Sequence, residues 1–203
     1  RNMMRQMAMA LLLGAFLGGG FATVAVAAPG DLVIHGDSTG KGDGAQTRWP
    51  DRLLAVLGET RAVENLSRSR QDIRRIVRGM LERAPHDSVT IVYDRRNAGE
   101  TPEAYLDYLR QGVAALASDR FLILPQVPVS GGHEDRLTLE VLLAINILLR
   151  ETFPDNTFDA ETEARLLEAL SGDETRSDRI HRNDVGQQIE AEFIADWLRQ
   201  RGW

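Results

Sequence analysis

The sequence predicts a single α/β domain, a three-layer α/β/α sandwich around a mostly parallel sheet. Two observations carry that prediction. Short β-rich runs alternate with longer helical ones, and no internal repeat or low-complexity linker divides them. With 203 residues, 43% of them hydrophobic and 27% charged, the chain can fill one complete core.

Asp31–His35 is a short apolar run that ends in a Gly-rich turn, the pattern of a buried strand. Arg48 to Leu57 carries apolar residues at 49, 53, 54 and 57, a helical spacing, and Gly58 stops it. Ala62-Val63 is a weak second strand. Asp72 to Leu81 is a basic helix with Ile73, Ile76, Val77, Met80 and Leu81 on one face. Ser88–Tyr93, rich in β-branched residues, is the clearest strand, and Thr101-Pro102-Glu103 opens a helix with a capping Thr and a Pro in the first turn. Phe121–Leu124 reads as a fourth strand closed by Pro125 and Pro128. Leu137–Leu149 reads as a helix buried on most sides, and Thr157-Phe158 as a last short strand. Asp184 is the expected cap of a final helix whose apolar face is Val185, Ile189, Phe193, Ile194, Trp197 and Leu198, with Gly202 ending it. In a parallel sheet the ligand site lies beyond the strands' carboxyl ends, so the loops after His35, Asn65, Tyr93 and Leu124 are expected to meet.

Residues 1–27 form a separate object. Arg1 and Arg5 precede an uncharged apolar stretch from Met7 to Val26, and Ala25-Val26-Ala27 fits a small-x-small cleavage site. Gly18-Gly19-Gly20 and the Ala-Val-Ala end favour a signal peptide, with residues 28–203 as the folded domain. The stretch is long enough that an uncleaved membrane anchor stays open. Under the first alternative the protein is periplasmic or secreted and keeps no stable membrane association after cleavage.

Twenty-four Lys and Arg against 30 Asp and Glu give a net charge of −6, and the acidic excess grows once the leader arginines are removed. With no basic tail, nucleic acid is a poor partner. The absence of cysteine excludes disulfides, thiolate metal sites and a cysteine nucleophile.

Two segments carry chemistry. Gly36-Asp37-Ser38-Thr39-Gly40 directly follows the first strand. A serine in a tight turn between strand and helix is held out of the core, close to unpaired backbone N–H groups that can stabilise an oxyanion, as an acyl-transfer nucleophile requires. Read alone, the segment also fits a plain Gly-rich turn. Near the other end stands Asp178-Arg179-Ile180-His181, just before the final helix. An Asp three residues before a His in a loop can reach the imidazole Nδ1–H and leave Nε2 facing a serine. Read alone, His181 also fits a surface histidine at a helix start. His35 lies within a strand, His86 follows a Pro in a polar loop, and His133 has no carboxylate at this spacing.

Together the two segments resemble the SGNH (GDSL) hydrolases, serine esterases and lipases with a Gly-Asp-Ser block after the first strand and an Asp-x-x-His block before the last helix. Trp49-Pro50-Asp51-Arg52-Leu53 is similar to the start of that family's first helix. His181-Arg182-Asn183 and Gly186 are similar to its run into the last one. The resemblance implies a flavodoxin-like sheet, a triad of Ser38, Asp178 and His181, and an oxyanion hole formed by the N–H groups of Ser38 and Arg70 with the Asn97 amide. It implies no cofactor and no metal. Two middle blocks depart from the family pattern. Arg70 stands where a glycine is expected, and in Tyr93-Asp94-Arg95-Arg96-Asn97-Ala98 Arg95 replaces a glycine and Ala98 an aspartate. A backbone N–H survives at Arg70, but a position requiring positive φ would strain any residue other than glycine.

Gly36-x-Ser38-x-Gly40 also satisfies the nucleophile-elbow pattern of α/β-hydrolases. Its place after the first strand, and an Asp and His sharing one loop, speak against that fold. A phosphate loop fails on spacing, since only three residues separate Gly36 from Gly40 and Gly42 follows Lys41. A metal site drawn from Asp37, Asp43, Asp178 and His181 lacks a His pair at helical spacing. The expected partner is a small-molecule or glycan ester, with acyl transfer or non-catalytic ligand binding on the same fold as the alternatives. Arg95 and Arg96, with Arg68 and Arg70, are candidates for a cationic substrate rim. The competing account pairs the arginines of this region with Asp72, Asp94 and Glu100 on the surface.

Overall fold

The computed structural model describes residues 30–83, 87–94, 100–128 and 139–203. Four strands, β1 (Leu32–Gly36), β2 (Val63–Asn65), β3 (Val89–Tyr93) and β4 (Phe121–Ile123), form one sheet in the order β2-β1-β3-β4. Every pairing is parallel; Leu32 faces both Val63 and Val89, and Thr90 faces Phe121. Among the described residues seven α-helices accompany the strands. They are α1 (Ser38–Lys41), α2 (Trp49–Leu57), α3 (Ile73–Glu82), α4 (Pro102–Ala114), α5 (Leu139–Thr152), α6 (Ala160–Ala169) and α7 (Asp184–Arg201).

Alternation along the strands divides the core into two halves. Leu32 and Ile34 of β1, with Val89, Ile91 and Tyr93 of β3 and Leu122 of β4, pack against Trp49 and Leu53 of α2, Leu166 of α6 and Ala191, Ile194 and Leu198 of α7. Val92, Phe121 and Ile123 point the other way, onto Ile73, Ile76 and Met80 of α3, Tyr105 and Leu109 of α4, and Ile145 and Leu149 of α5. The sandwich therefore has α2, α6 and α7 on one face and α3, α4 and α5 on the other. The expected cap forms at Thr101, which accepts from Ala104 N, and Asp72, read as the first helical residue, is instead the cap of α3, accepting from Arg75 N.

Several elements differ from the sequence expectation. Thr157-Phe158 is not a strand. Asn156 O accepts from Ile123 N at 2.8 Å, Asn156 Nδ2 donates to Phe121 O at 2.8 Å, and Thr157 Oγ1 donates to Ile123 O at 2.7 Å. Side-chain donors thus satisfy the β4 edge that a fifth strand would have paired. The Leu137–Leu149 helix, described from Leu139, is buried along one stripe only. Leu142, Ile145 and Leu149 face the core, whereas Leu139 (53% exposed), Leu143 (39%) and Ile147 (48%) face outward. Leu81 of α3 is exposed too. At the last helix Asn183, not Asp184, is the cap, its side chain accepting from Val185 N and Gly186 N. Val185 is exposed, and the polar Gln187 and Glu190 take places on the buried face.

Candidate active site

Strand β1 delivers the chain into a turn with no room for side chains. A Cβ on Gly36 would stand 2.1 Å from Tyr93 O, so β3 can approach only because residue 36 has none. Asp37 then caps α1, its Oδ1 accepting from Thr39 N at 2.7 Å. Ser38 is the first residue of this single turn and half-buried. Its hydroxyl and its N–H make no hydrogen bond to any described residue. Trp49 closes the turn from below, donating from Nε1 to Thr39 O at 3.1 Å and meeting Tyr93 edge-on with ring centroids 5.9 Å apart.

The loop before α7 is pinched shut at its base. Arg176 and Arg182 form an antiparallel bridge, and Ser177 N donates to His181 O at 3.1 Å. Between them Asp178 Oδ1 accepts from the N–H groups of Ile180 and His181, each at 2.7 Å, leaving Oδ2 2.8 Å from His181 Nδ1. Partial burial alone would raise the Asp178 pKa. The His181 imidazole and the two backbone N–H groups outweigh it and bring the carboxyl down to about 2. A carboxylate ionised over the whole neutral range therefore fixes the imidazole with Nδ1 protonated, which leaves Nε2 as the basic nitrogen.

The chain brings these two distant segments together. Gly44, at φ 101°, passes directly under the histidine, where a Cβ would lie 2.6 Å from His181 Cβ and 2.5 Å from Ser177 Oγ. Gln187 of α7 is buried between the segments. Its Nε2 donates to Gly42 O (3.1 Å), Asp43 O (3.0 Å) and Arg182 O (3.1 Å), while its Oε1 accepts from Trp49 N (2.8 Å). Asp184, freed from capping, accepts from Gln46 N and Thr47 N and pairs with Arg52. Sequence reading missed both roles. The signal for Gln187 was its place three and four residues before Glu190 and Ala191, on the stripe that α7 buries. Ser38 and His181 thus lie on adjoining loops without a direct hydrogen bond. Such contacts are often long until substrate is bound.

On the other side of the turn, Arg70 is the only non-glycine described residue with positive φ, at 67°. That conformation costs an L-residue about 1 kcal/mol relative to glycine, so the strain foreseen at this position is present. The flanking chain holds it. Arg68 N donates to Gly36 O at 3.1 Å, Ser69 Oγ to Asp43 Oδ2 at 2.6 Å, and Asn65 Nδ2 to Gly40 O at 3.1 Å. Arg70 N donates to no described residue. Asn97, Arg95 and Arg96, like His86 and His133, lie outside the described residues. Asp94 is buried at the end of β3, where its carbonyl accepts from Gln126 Nε2 at 2.6 Å, so the loop after β4 meets this site as expected. Of the surface network set against the cationic rim, the pairs of Arg74 with Asp72 and Glu100 form, at 3.5 and 3.2 Å.

No protein-family model matches the chain. Its structure superposes on a lipase/acylhydrolase from Enterococcus faecalis with a TM-score of 0.69 and 13% identity, over 84% of this chain and 96% of that one. Lipolytic proteins of the G-D-S-L family align as well. The fold is that of the SGNH hydrolases. The C-terminal catalytic domain of a peptidoglycan O-acetyltransferase from Streptococcus pneumoniae aligns with a TM-score of 0.57 and 16% identity, over 86% of this chain and 95% of that one. In sequence, the tail spike protein of Salmonella phage epsilon15 is 25% identical over 143 residues, covering 58% of this chain. The match spans 13% of the tail spike's length.

Proposed function

We propose that this SGNH-fold protein is a serine hydrolase of carboxylic esters. The observation that supports the reading best is the Asp178–His181 pair, 2.8 Å apart, on a loop pressed against the loop that follows Ser38. Ser38 Oγ attacks the ester carbonyl while His181 Nε2 takes its proton, and Asp178 stabilises the imidazolium that results. The unengaged N–H groups of Ser38 and Arg70, with the Asn97 amide, receive the charge that develops on the carbonyl oxygen. His181 then gives its proton to the departing alcohol, and water delivered by the same base releases the acid from Ser38. No step needs a cofactor or metal. The leader segment motivates the further proposal that the protein works outside the cytoplasm, and the net charge of −6 suits a glycan or lipid ester better than a polyanion such as nucleic acid.

The decisive experiment is covalent. A fluorophosphonate probe should label the wild-type protein at Ser38 alone, and Ser38→Ala should abolish labelling and turnover of p-nitrophenyl acetate together. Full esterase activity in Ser38→Ala would sink the mechanism. Acyl transfer is the second reading, motivated by the similarity to the O-acetyltransferase domain. Faster loss of the acyl group from Ser38 when sugar or alcohol acceptors are added would favour it over hydrolysis.

A further inference from the structure

We propose that the Arg70 guanidinium binds an anionic group, a carboxylate or a phosphate, carried by the substrate beside the bond that breaks. The inference rests on the hydrolase reading above and adds a substrate class to it.

The argument begins with a residue in the wrong conformation for its type. An N–H aimed at an oxyanion is supplied equally well by glycine, and glycine takes φ near 67° without strain. The backbone role therefore gives no reason for an arginine at position 70; a role for its side chain does. That side chain is exposed and forms no ion pair or hydrogen bond with a described residue, and the same holds for Arg68. Among the arginines that follow in the chain, Arg74 and Arg83 are engaged, whereas Arg75 and Arg78 of α3 are exposed and make no side-chain ion pair or hydrogen bond with a described residue. Arg74 pairs with Asp72 and Glu100, Arg83 with Glu64, and Arg52 with Asp184. What distinguishes Arg68 and Arg70 is their place: neither guanidinium has a partner among the described residues, and both stand on the turn tied to the Ser38 segment.

Their position is fixed by the backbone. Arg68 N is bonded to Gly36 O, two residues before Ser38, and Ser69 Oγ to Asp43, five residues after it. The carboxylate of Asp43 does not neutralise them, because Lys41 Nζ at 3.1 Å and Ser69 Oγ at 2.6 Å already engage it. Arg70 thus presents its N–H to the reacting carbonyl and its planar fork to whatever adjoins it. Carboxylate and phosphate oxygens match that fork in a bidentate manner.

The test uses three matched aryl acetates, one neutral, one bearing a carboxylate and one a phosphate, with wild type, Arg70→Gly and Arg70→Lys. The quantity read is the ratio of kcat/KM for each anionic ester to that for the neutral one. A change in oxyanion geometry affects both esters and cancels from this ratio. Wild type should prefer one or both anionic esters by about fivefold, a size suited to a solvent-exposed pair, and salt should reduce the preference. Arg70→Gly should bring the ratio close to one, and Arg70→Lys should keep part of it. Which anion is preferred identifies the group. A wild type that labels at Ser38 but treats all three esters alike overturns the inference and leaves the hydrolase reading standing, as does a preference unchanged in Arg70→Gly. A wild type with neither labelling nor turnover overturns both.

Discussion

Asp178 and His181 are joined to each other by contacts no more than three residues apart, whereas Arg70 stands in a turn whose flanks are tied to partners 25 or more residues away. The turn itself is closed by Gln71 N donating to Arg68 O at 3.3 Å. On the proposed base side, one carboxylate binds two N–H groups and an imidazole within a four-residue span. On the oxyanion side, Asn65 reaches Gly40 and Ser69 reaches Asp43 across separations of 25 and 26 residues. The contrast explains the sequence. A base corner built from local hydrogen bonds must keep its residue types in order, so its motif is intact. A corner held from outside can change residue 70 and keep its shape, because the Arg68–Gln71 turn and the clamps on its flanks hold φ whatever the residue.

The largest expected effect lies at the local corner. Asp178→Asn keeps the side-chain volume but places an amide against Nδ1, favouring the wrong tautomer, so kcat/KM for a simple ester should fall about 10⁴-fold with the thermal melt near wild type. A loss below tenfold would mean that backbone contacts alone orient His181. A middle-sized effect belongs to the clamped corner. Ser69→Ala removes the bond to Asp43, and kcat on a neutral ester should drop roughly five- to tenfold with little change in KM. Adding Arg70→Gly to Ser69→Ala should recover part of that loss, since glycine needs less holding. No recovery would show that Ser69 acts otherwise than through residue 70.

The smallest effect is in stability against pH. The folded pKa of Asp178, about 2, lies below its ordinary value of 3.8. The unfolded chain therefore takes up the proton first as pH falls, and the contribution is present above about pH 4 and lost through about pH 2. The urea midpoints of wild type and Asp178→Ala should differ by a constant small amount from pH 8 to 5 and converge as pH drops toward 2. The side chain is 56% exposed, so solvent screening keeps the difference small. A gap that widened in acid would contradict the pairing.

The sequence made the local features legible and left the tertiary ones hidden. The four strands, the cap Thr101 and the Asp178–His181 spacing follow from neighbours within a few positions. Helix α6 went unrecognised because its buried contribution is small and includes a charge, Glu163, which pairs with Arg150 and accepts from Asn146. The apolar run of α5 gave no hint that one side would stay uncovered. Asp184 and Asn183 are equally good caps on paper, and only the Gln46–Thr47 backbone decides which is diverted elsewhere. In the same way the departure at Arg70 was visible, but not that Ser69 and Asp43 hold the bend that makes it tolerable.

Gln187 has a consequence in time as well as in space. The carbonyl of Gly42 that it holds lies 145 positions earlier in the chain, so the nucleophile turn leaves the ribosome long before the helix that locks the base loop beside it. Pairings that span most of a sequence form late, after the local elements. On the hydrolase reading proposed above, Ser38 is a serine without a base until α7 docks on α2, and hydrolytic activity would report that folding has run to its end.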